Sequence, residues 1–221
     1  MKAPRSNKKR VLIVDDHPMM RQGLAQLINN ETDLIVAAEA DTAEQALKLV
    51  HAALPDLVLA DIGLPEKNGL ELIKDLKVSH PDLPILVVSM HDETLYAERV
   101  LRAGGRGYIM KQEGGKVLLD AIRQVLAGQT YVSQKMTAKI VEVFAGRRAG
   151  TKRSEVQDLS DREFEVFRLI GEGKTTRAIG EHLHISVKTV EVHRANIKRK
   201  LNLAGATDLV HAAIRWVEKM E

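Results

Sequence analysis

The sequence predicts an α/β doubly wound five-stranded parallel sheet followed by a small all-α domain. Three observations carry that prediction. Short apolar runs alternate with amphipathic stretches from residue 11 to residue 130. Past residue 157 only helical patterns remain. The net charge of +3 is unevenly divided: residues 11–130 hold 11 Lys/Arg against 18 Asp/Glu, a net of −7, and residues 152–221 hold 13 against 11, a net of +2. An acidic front and a mildly basic rear argue for two domains with different partners.

The predicted strands are Val11–Val14, Leu34–Ala37, Leu57–Leu59, Ile85–Val88 and Tyr108–Met110. They are unbroken apolar runs, as suits strands covered on both faces. Helices are expected from Pro18, from Thr42, and near Asn68, Glu93 and Gly115. Thr42-Ala-Glu-Gln45 fits a capping box. The expected organisation is a basic tail over 1–9, a sheet domain over 10–130, a linker over 131–157 and a helical domain over 158–221. Within the linker, 135–144 has a helical pattern and 146–154 is rich in Gly, Lys and Arg. In the helical domain Ser160-Asp-Arg-Glu163 is a second capping box, and Gly171 and Gly173 end its helix. Three more helices are predicted near 175–183, 187–201 and 206–219.

Several function classes are disfavoured. There is no cysteine, hence no disulfide framework and no Cys-based zinc site. The basic N-terminus leads only to a short apolar run ending in Asp15-Asp16, which is neither a signal peptide nor a membrane span. A cytoplasmic protein with no membrane partner is expected. Aromatic residues are 3% of the chain, too few for a stacking platform on single strands. Gly171-Glu-Gly-Lys-Thr175 is not a P-loop, because Arg168 stands where the leading glycine belongs and no strand precedes it. His182 and His184 lie off a shared face with no cysteine partners, so zinc is not expected there.

In such a sheet, ligands bind beyond the carboxyl ends of the strands. Asp15 and Asp16, Asp61, Ser89 and Lys111 all stand at predicted strand ends. Gathered carboxylates repel and raise one another's pKa. Mg²⁺, which prefers oxygen ligands, relieves that repulsion. Asp61 could then act as a nucleophile toward phosphorus, with Lys111 and the Ser89 hydroxyl on the phosphoryl oxygens. Against this stands the ordinary role of a strand-end Asp as a cap or turn residue. Five polar groups in register at strand ends favour the chemical reading.

Val11-Leu-Ile-Val-Asp-Asp-His-Pro18, Asp61-x3-Pro65-x3-Gly69, Val88-Ser89 and Gly107-Tyr-Ile-Met-Lys111 together resemble a flavodoxin-like response-regulator receiver domain. The resemblance spans roughly residues 10–130. It implies that Asp61 is the phosphoacceptor and that Asp15 and Asp16 form the acidic metal pocket. Asp16 and the Gly63 backbone carbonyl would be direct ligands to Mg²⁺. It also implies that Ser89 and Tyr108 are the switch pair and Lys111 the phosphate-binding lysine. Met90 stands where many receivers carry a small residue. His91 either orients a hydrolytic water or faces solvent as a loop histidine.

Farther on, Thr176–Leu183, His184-Ile185-Ser186 and Val187–Leu201 read as helix, turn, helix, with Ser186 as N-cap. Val190, Ile197 and Leu201 share one stripe, with Val187 at its edge. Lys188, Val192, Ala195 and Arg199 lie opposite, flanked by Glu191, and His193, Asn196 and Lys200 run along one side. Five Lys/Arg against one acid between Val187 and Lys200 favour DNA over a plain solvated face.

Leu159 to Leu203 resembles the LuxR-type helix-turn-helix, most specifically in Ile185-Ser-x-x-Thr-Val-x-x-His193-x-x-Asn196-Ile. With the receiver, the whole chain resembles a NarL/FixJ-type response regulator. That implies base-edge contacts from Glu191, Val192 and Ala195. It implies phosphate or groove-rim contacts from Lys188, His193, Arg194, Asn196, Lys198 and Arg199, with Thr189 in the same DNA-binding set. Arg194 also reads as a packing residue with a snorkelled tip.

Ala178 and Gly180 stand where Glu and Ala are usual, and a glycine inside a helix costs about 1 kcal/mol relative to Ala. The last helix presents Leu209, Ala213 and Trp216, which resemble the family's dimerisation face; packing within the domain is the competing reading, and the two are compatible. The implied partners are a sensor histidine kinase, double-stranded DNA, a second copy once phosphorylated, and RNA polymerase. Two rivals stand beside this. One is a phosphohydrolase, disfavoured because Gly63 occupies the place of the usual second Asp. The other is an adaptor that binds only proteins, disfavoured by the basic helix.

Overall fold

Short strands of Val, Ile, Leu and Ala build one parallel sheet in the order β2-β1-β3-β4-β5. They are β1 (Lys9–Val14), β2 (Leu34–Ala40), β3 (Leu57–Ala60), β4 (Ile85–Ser89) and β5 (Gly107–Met110). Between them lie α1 (Pro18–Asn29), α2 (Ala43–Ala53), α3 (Gly69–Ser79), α4 (Glu93–Arg102) and α5 (Gly115–Leu126). This computed structural model describes residues 8–138 and 155–218. The chain divides into two units, 1–145 and 146–221.

Local chemistry starts the helices where the sequence predicts. Pro18 occupies the first turn of α1, where its missing N–H costs nothing. Side chains of Thr42, Asn68 and Asp92 each accept a backbone N–H from the turn they begin. The Thr42 box differs from expectation: Gln45 reaches back to the N–H of Asp41, one residue earlier. α1 and α5 bury Leu24, Ile28, Leu118, Ile122 and Val125 against Ile13, Leu59 and Val88. The strand order reverses between β1 and β3, which opens a crevice at the strand ends.

The sheet unit runs past its expected end at 130. Tyr131 donates its N–H to the Arg106 carbonyl at 3.0 Å and accepts from the Tyr108 N–H at 2.9 Å. It thus forms a parallel bridge on the open edge of β5. Residues 134–138 are helical and Met136 is buried. The linker therefore starts later than 131, because an edge strand's unpaired groups are satisfied by the chain that follows α5. Most of the helix expected over 135–144, the loop expected over 146–154 and most of the basic tail lie outside the described residues.

The second unit holds a 3-10 turn (Glu155–Asp158), then α6 (Asp161–Gly171), α7 (Thr176–His182), α8 (Val187–Lys200) and α9 (Ala206–Glu218). The Ser160–Glu163 capping box is reciprocal, and Lys200 adds a 2.7 Å contact to the Glu163 carboxylate. The buried Arg162 guanidinium bonds Glu165 at 2.8 Å and the Leu183 carbonyl at 2.6 Å, tying α6 to the end of α7.

Packing bears on two sequence expectations here. Leu209 and Ala213 are fully buried, and the Trp216 ring meets Phe164 and Phe167 edge-on at 5.4 and 5.9 Å. A Cβ on Gly171 would lie 2.5 Å from the Ala213 carbonyl, so α9 sits directly on α6. Leu209 and Ala213 are thus interior residues, and Trp216 is half-buried against α6. Leu209 and Ala213 are spent on packing inside the domain, as the competing reading of this helix expects, while Trp216 keeps part of its surface outside. Gly180 is also no liability. A Cβ there would lie 2.8 Å from the Ile185 carbonyl oxygen, and Ile185 donates its N–H to the Gly180 carbonyl at 2.9 Å. The turn folds directly onto that glycine.

Candidate functional site

β1 ends at Val14 and delivers Asp15 and Asp16; β3 ends at Ala60 and delivers Asp61. Hydrophobic strands place these carboxylates because the pairing of Val14 with Ala60 aligns the two strand ends. One ligand atom each from Asp15, Asp16, His17 and Asp61 lie within 4.8 Å of one another. Lys111, following β5, reaches across to Asp15 and Asp61, with Nζ 2.7 Å from an oxygen of each. The Lys111 side chain is 3% exposed. Burial alone would lower its pKa, but the Asp61 and Asp15 carboxylates outweigh that and hold it above the ordinary lysine range.

The loop after Asp61 folds back on itself. Gly69 donates its N–H to the Ile62 carbonyl at 2.9 Å, and a Cβ on Gly69 would overlap the Asp61 carbonyl at 2.1 Å. That close approach is the physical reason for a glycine eight residues past the acid. Gly63 lies beside the Asp61 carboxylate, where a Cβ would sit 3.5 Å from its Oδ2.

Ser89 ends β4 and is buried; its Oγ accepts the His91 N–H at 3.3 Å. Tyr108 is fully buried with its ring inward, and its hydroxyl donates to the His91 carbonyl at 2.7 Å. Burial pushes the Tyr108 phenol far above its usual range. Ser89 and Tyr108 thus meet at one residue, each hydrogen-bonded to the backbone of His91. The His91 ring stacks on Tyr96 at 4.9 Å and stays partly exposed. Met90 is exposed beside this loop.

In the second unit, Ser186 caps α8 by accepting the Thr189 N–H. Val190 and Ile197 are fully buried and Leu201 is buried, as the apolar stripe predicts, but Val187 at its edge is exposed. Lys188, Thr189, Glu191, Val192, Ala195 and Arg199 are exposed, while His193, Asn196 and Lys198 are half-buried along the flanks. The Arg194 side chain is 16% exposed with Nε 3.8 Å from Glu191, the geometry of a stem packed along the domain with its tip at the surface. Lys200 is held by Glu163 and the Asp158 carbonyl, away from the exposed face.

Comparisons with known proteins agree with both halves. Residues 11–123 match the response regulator receiver domain, and residues 157–213 match the bacterial regulatory proteins of the luxR family. The transcriptional regulatory protein DegU of Brevibacillus brevis is 34% identical over 227 residues, covering 96% of both chains. The transcriptional activator protein ExaE of Pseudomonas putida is 38% identical over 205 residues, covering 92% of this chain and 95% of that one. The chain belongs to the NarL/FixJ family of response regulators. Among solved structures, a LuxR-family two-component response regulator from Aurantimonas is 32% identical with a TM-score of 0.59, covering 62% of this chain and 99% of that one. RcsB from Salmonella enterica serovar Typhimurium, bound to promoter rprA in the presence of phosphomimetic BeF3-, is 25% identical with a TM-score of 0.61, covering 93% and 98%.

This response regulator thus joins a receiver to a LuxR-type DNA-binding domain and is a transcription regulator by family, not an enzyme in the usual sense. No helix among the described residues is long and apolar enough to cross a membrane. Sequence reasoning missed three participants in the receiver. His17 joins the acidic group, with Nδ1 2.7 Å from Asp16; its adjacency to Asp16 was the available signal. Arg21 donates to the Asp15 carbonyl at 2.7 Å, one helical turn on from His17. Glu93, which reads as an ordinary first-turn acid of α4, is buried and accepts the Ser133 N–H at 2.7 Å. Only the fold brings that pair together.

Proposed function

We propose that this response regulator is controlled by phosphorylation of Asp61 in a Mg²⁺-dependent pocket, which leads to dimerisation and promoter binding. The observation that carries the reading is the pairing of a 5% exposed Asp61 with Lys111 inside a group of carboxylates. The donor set suits Mg²⁺: three carboxylates with oxygens within one ion's reach, and a single lysine that leaves excess negative charge. Asp15, Asp16, Asp61 and the Gly63 carbonyl would hold the ion, which would supply positive charge against phosphoryl oxygens.

The chain's own residues do the rest. An Asp61 carboxylate oxygen attacks phosphorus, the bond from phosphorus to the donor's leaving group breaks, and an acyl phosphate remains on Asp61. Lys111, kept charged by its two carboxylate partners, moves its contact from Asp61 to the new phosphoryl oxygens. Ser89 hydrogen-bonds one of those oxygens, which changes its bond with the His91 N–H and so the loop whose carbonyl holds Tyr108. The donor is a sensor histidine kinase or a small acyl phosphate, and any autodephosphorylation is slow.

The output is DNA binding in the cytoplasm as a homodimer, with RNA polymerase as a further partner. The exposed face of α8 enters the major groove: Glu191, Val192 and Ala195 toward base edges, Lys188, Thr189, His193, Asn196, Lys198 and Arg199 toward phosphates and the groove rim. Asp61→Asn is expected to abolish acid-labile labelling by acetyl phosphate while the circular dichroism spectrum stays unchanged. Persistent labelling of that variant would overturn the assignment.

A further inference from the structure

The segment after α5 is attached to the receiver at the switch itself. β5 is an edge strand, and its outer edge carries the backbone of Tyr108. Tyr131 brackets that edge, bonding Arg106 on one side and the Tyr108 N–H on the other. Gly107 makes room for it, because a Cβ there would lie 2.7 Å from the Tyr131 carbonyl oxygen. Two residues on, Ser133 donates its N–H to Glu93 at 2.7 Å. The Ser133 hydroxyl accepts the Met136 N–H at 3.2 Å, and its carbonyl accepts the Thr137 N–H at 2.9 Å. Ser133 therefore caps the helical residues 134–138, which lead in sequence toward the second unit.

Glu93 is the other half of this attachment. It is 6% exposed, so its carboxylate depends on the bond it makes. It stands four residues past Ser89, at the end of the loop whose His91 carbonyl holds the Tyr108 hydroxyl and whose His91 ring stacks on Tyr96. Any displacement of residues 89–92 therefore shifts both the Tyr108 hydroxyl bond and the Glu93 carboxylate. One loop is thus tied to the exit segment twice, through Tyr108 to Tyr131 and through Glu93 to Ser133.

We propose that the Glu93–Ser133 bond is a clasp that couples the state of the phosphorylation site to the chain leading into the DNA-binding unit. The proposal rests on the reading of Asp61 as phosphoacceptor. A shift of the Ser89–Asp92 loop withdraws the Glu93 carboxylate, frees the Ser133 N–H and loosens the cap at residue 134. Glu93 acts through Ser133 and does not touch the phosphoryl group.

The test uses the full chain with acetyl phosphate and Mg²⁺. It reads Asp61 labelling, amide exchange over residues 131–137, and affinity for duplex promoter DNA with and without donor. Glu93→Ala is expected to label like the wild type. Its strap amides should exchange fast without donor, and the ratio of donor-treated to untreated DNA affinity should fall toward unity. Glu93→Gln, which keeps an acceptor oxygen, should retain the wild-type ratio. Ser133→Pro, which deletes the donated N–H and leaves Glu93 in place, should lose the ratio as Glu93→Ala does, and it serves if that variant does not fold. An undiminished ratio in Glu93→Ala or Ser133→Pro overturns the clasp, as does loss of Asp61 labelling in either. If the wild-type chain itself takes no label, the phosphoacceptor reading falls first and the clasp with it.

Discussion

Gly180 shows how a single residue reverses meaning once its neighbours are known. By helix propensity alone, Gly180→Ala should stabilise the second unit by about 1 kcal/mol. With a Cβ forced to 2.8 Å from the backbone oxygen of Ile185, the substitution is expected instead to destabilise, by about 1–3 kcal/mol as in overpacked cores. Guanidinium unfolding of the two proteins decides between the signs. Glu163 carries a second prediction. Burial raises its pKa, but Lys200 and the Ser160 N–H outweigh burial and hold it below the ordinary glutamate value of 4.5. A depressed folded pKa stabilises above the unfolded value, and that contribution is lost as pH falls through the folded one. Acid unfolding of Glu163→Gln should accordingly show a shallower loss of stability below pH 4.5 than the wild type, and equal slopes would remove Glu163 from the account.

At the scale of the element, α8 divides its residues between two tasks. Val190, Ile197 and Leu201 dock it, Arg194 packs at its side, and Lys188 and Arg199 stand on the exposed face. Removing one side chain that neutralises a DNA phosphate should lower the slope of log affinity against log salt by about 1. Lys188→Ala and Arg199→Ala are expected to do so in binding titrations across salt concentrations. Arg194→Ala should leave the slope near the wild-type value and lower the melting temperature. If Arg194→Ala flattens the slope as much as the other two, it reaches DNA after all. The helix type and its docking stripe were legible from the 3.6-residue period. Arg194 was not assignable from that period, because a long side chain can leave its own face.

For the whole molecule, phosphorylation must shift a population. Moving it from 1:99 to 99:1 takes about 5.5 kcal/mol of differential stabilisation. A new anion among Lys111, Ser89 and a bound cation is the source available in the receiver. Duplex binding by the wild type is expected to tighten with acetyl phosphate, and binding by Asp61→Asn to stay at the untreated level. A donor response that survives in Asp61→Asn places control elsewhere. The two-unit division was visible in the charge split and in the change from alternating to purely helical patterns. The end of the first unit was not, because Tyr131 to Met136 carry no strong period of their own and are held by the free edge of β5.

The sequence by itself determined which residues form strands and helices, and that Asp15, Asp16, Asp61, Ser89 and Lys111 would stand at strand ends. These follow from local period, capping and strand termination, which are properties of neighbours along the chain. Tertiary structure alone decided that Gly69 and Gly180 are demanded by backbone approach, and that Leu209, Ala213 and Trp216 pack within their own unit. It alone joined Glu93 to Ser133 across 40 residues. Such facts depend on which surfaces pack together, and close packing between elements distant in sequence leaves little local trace.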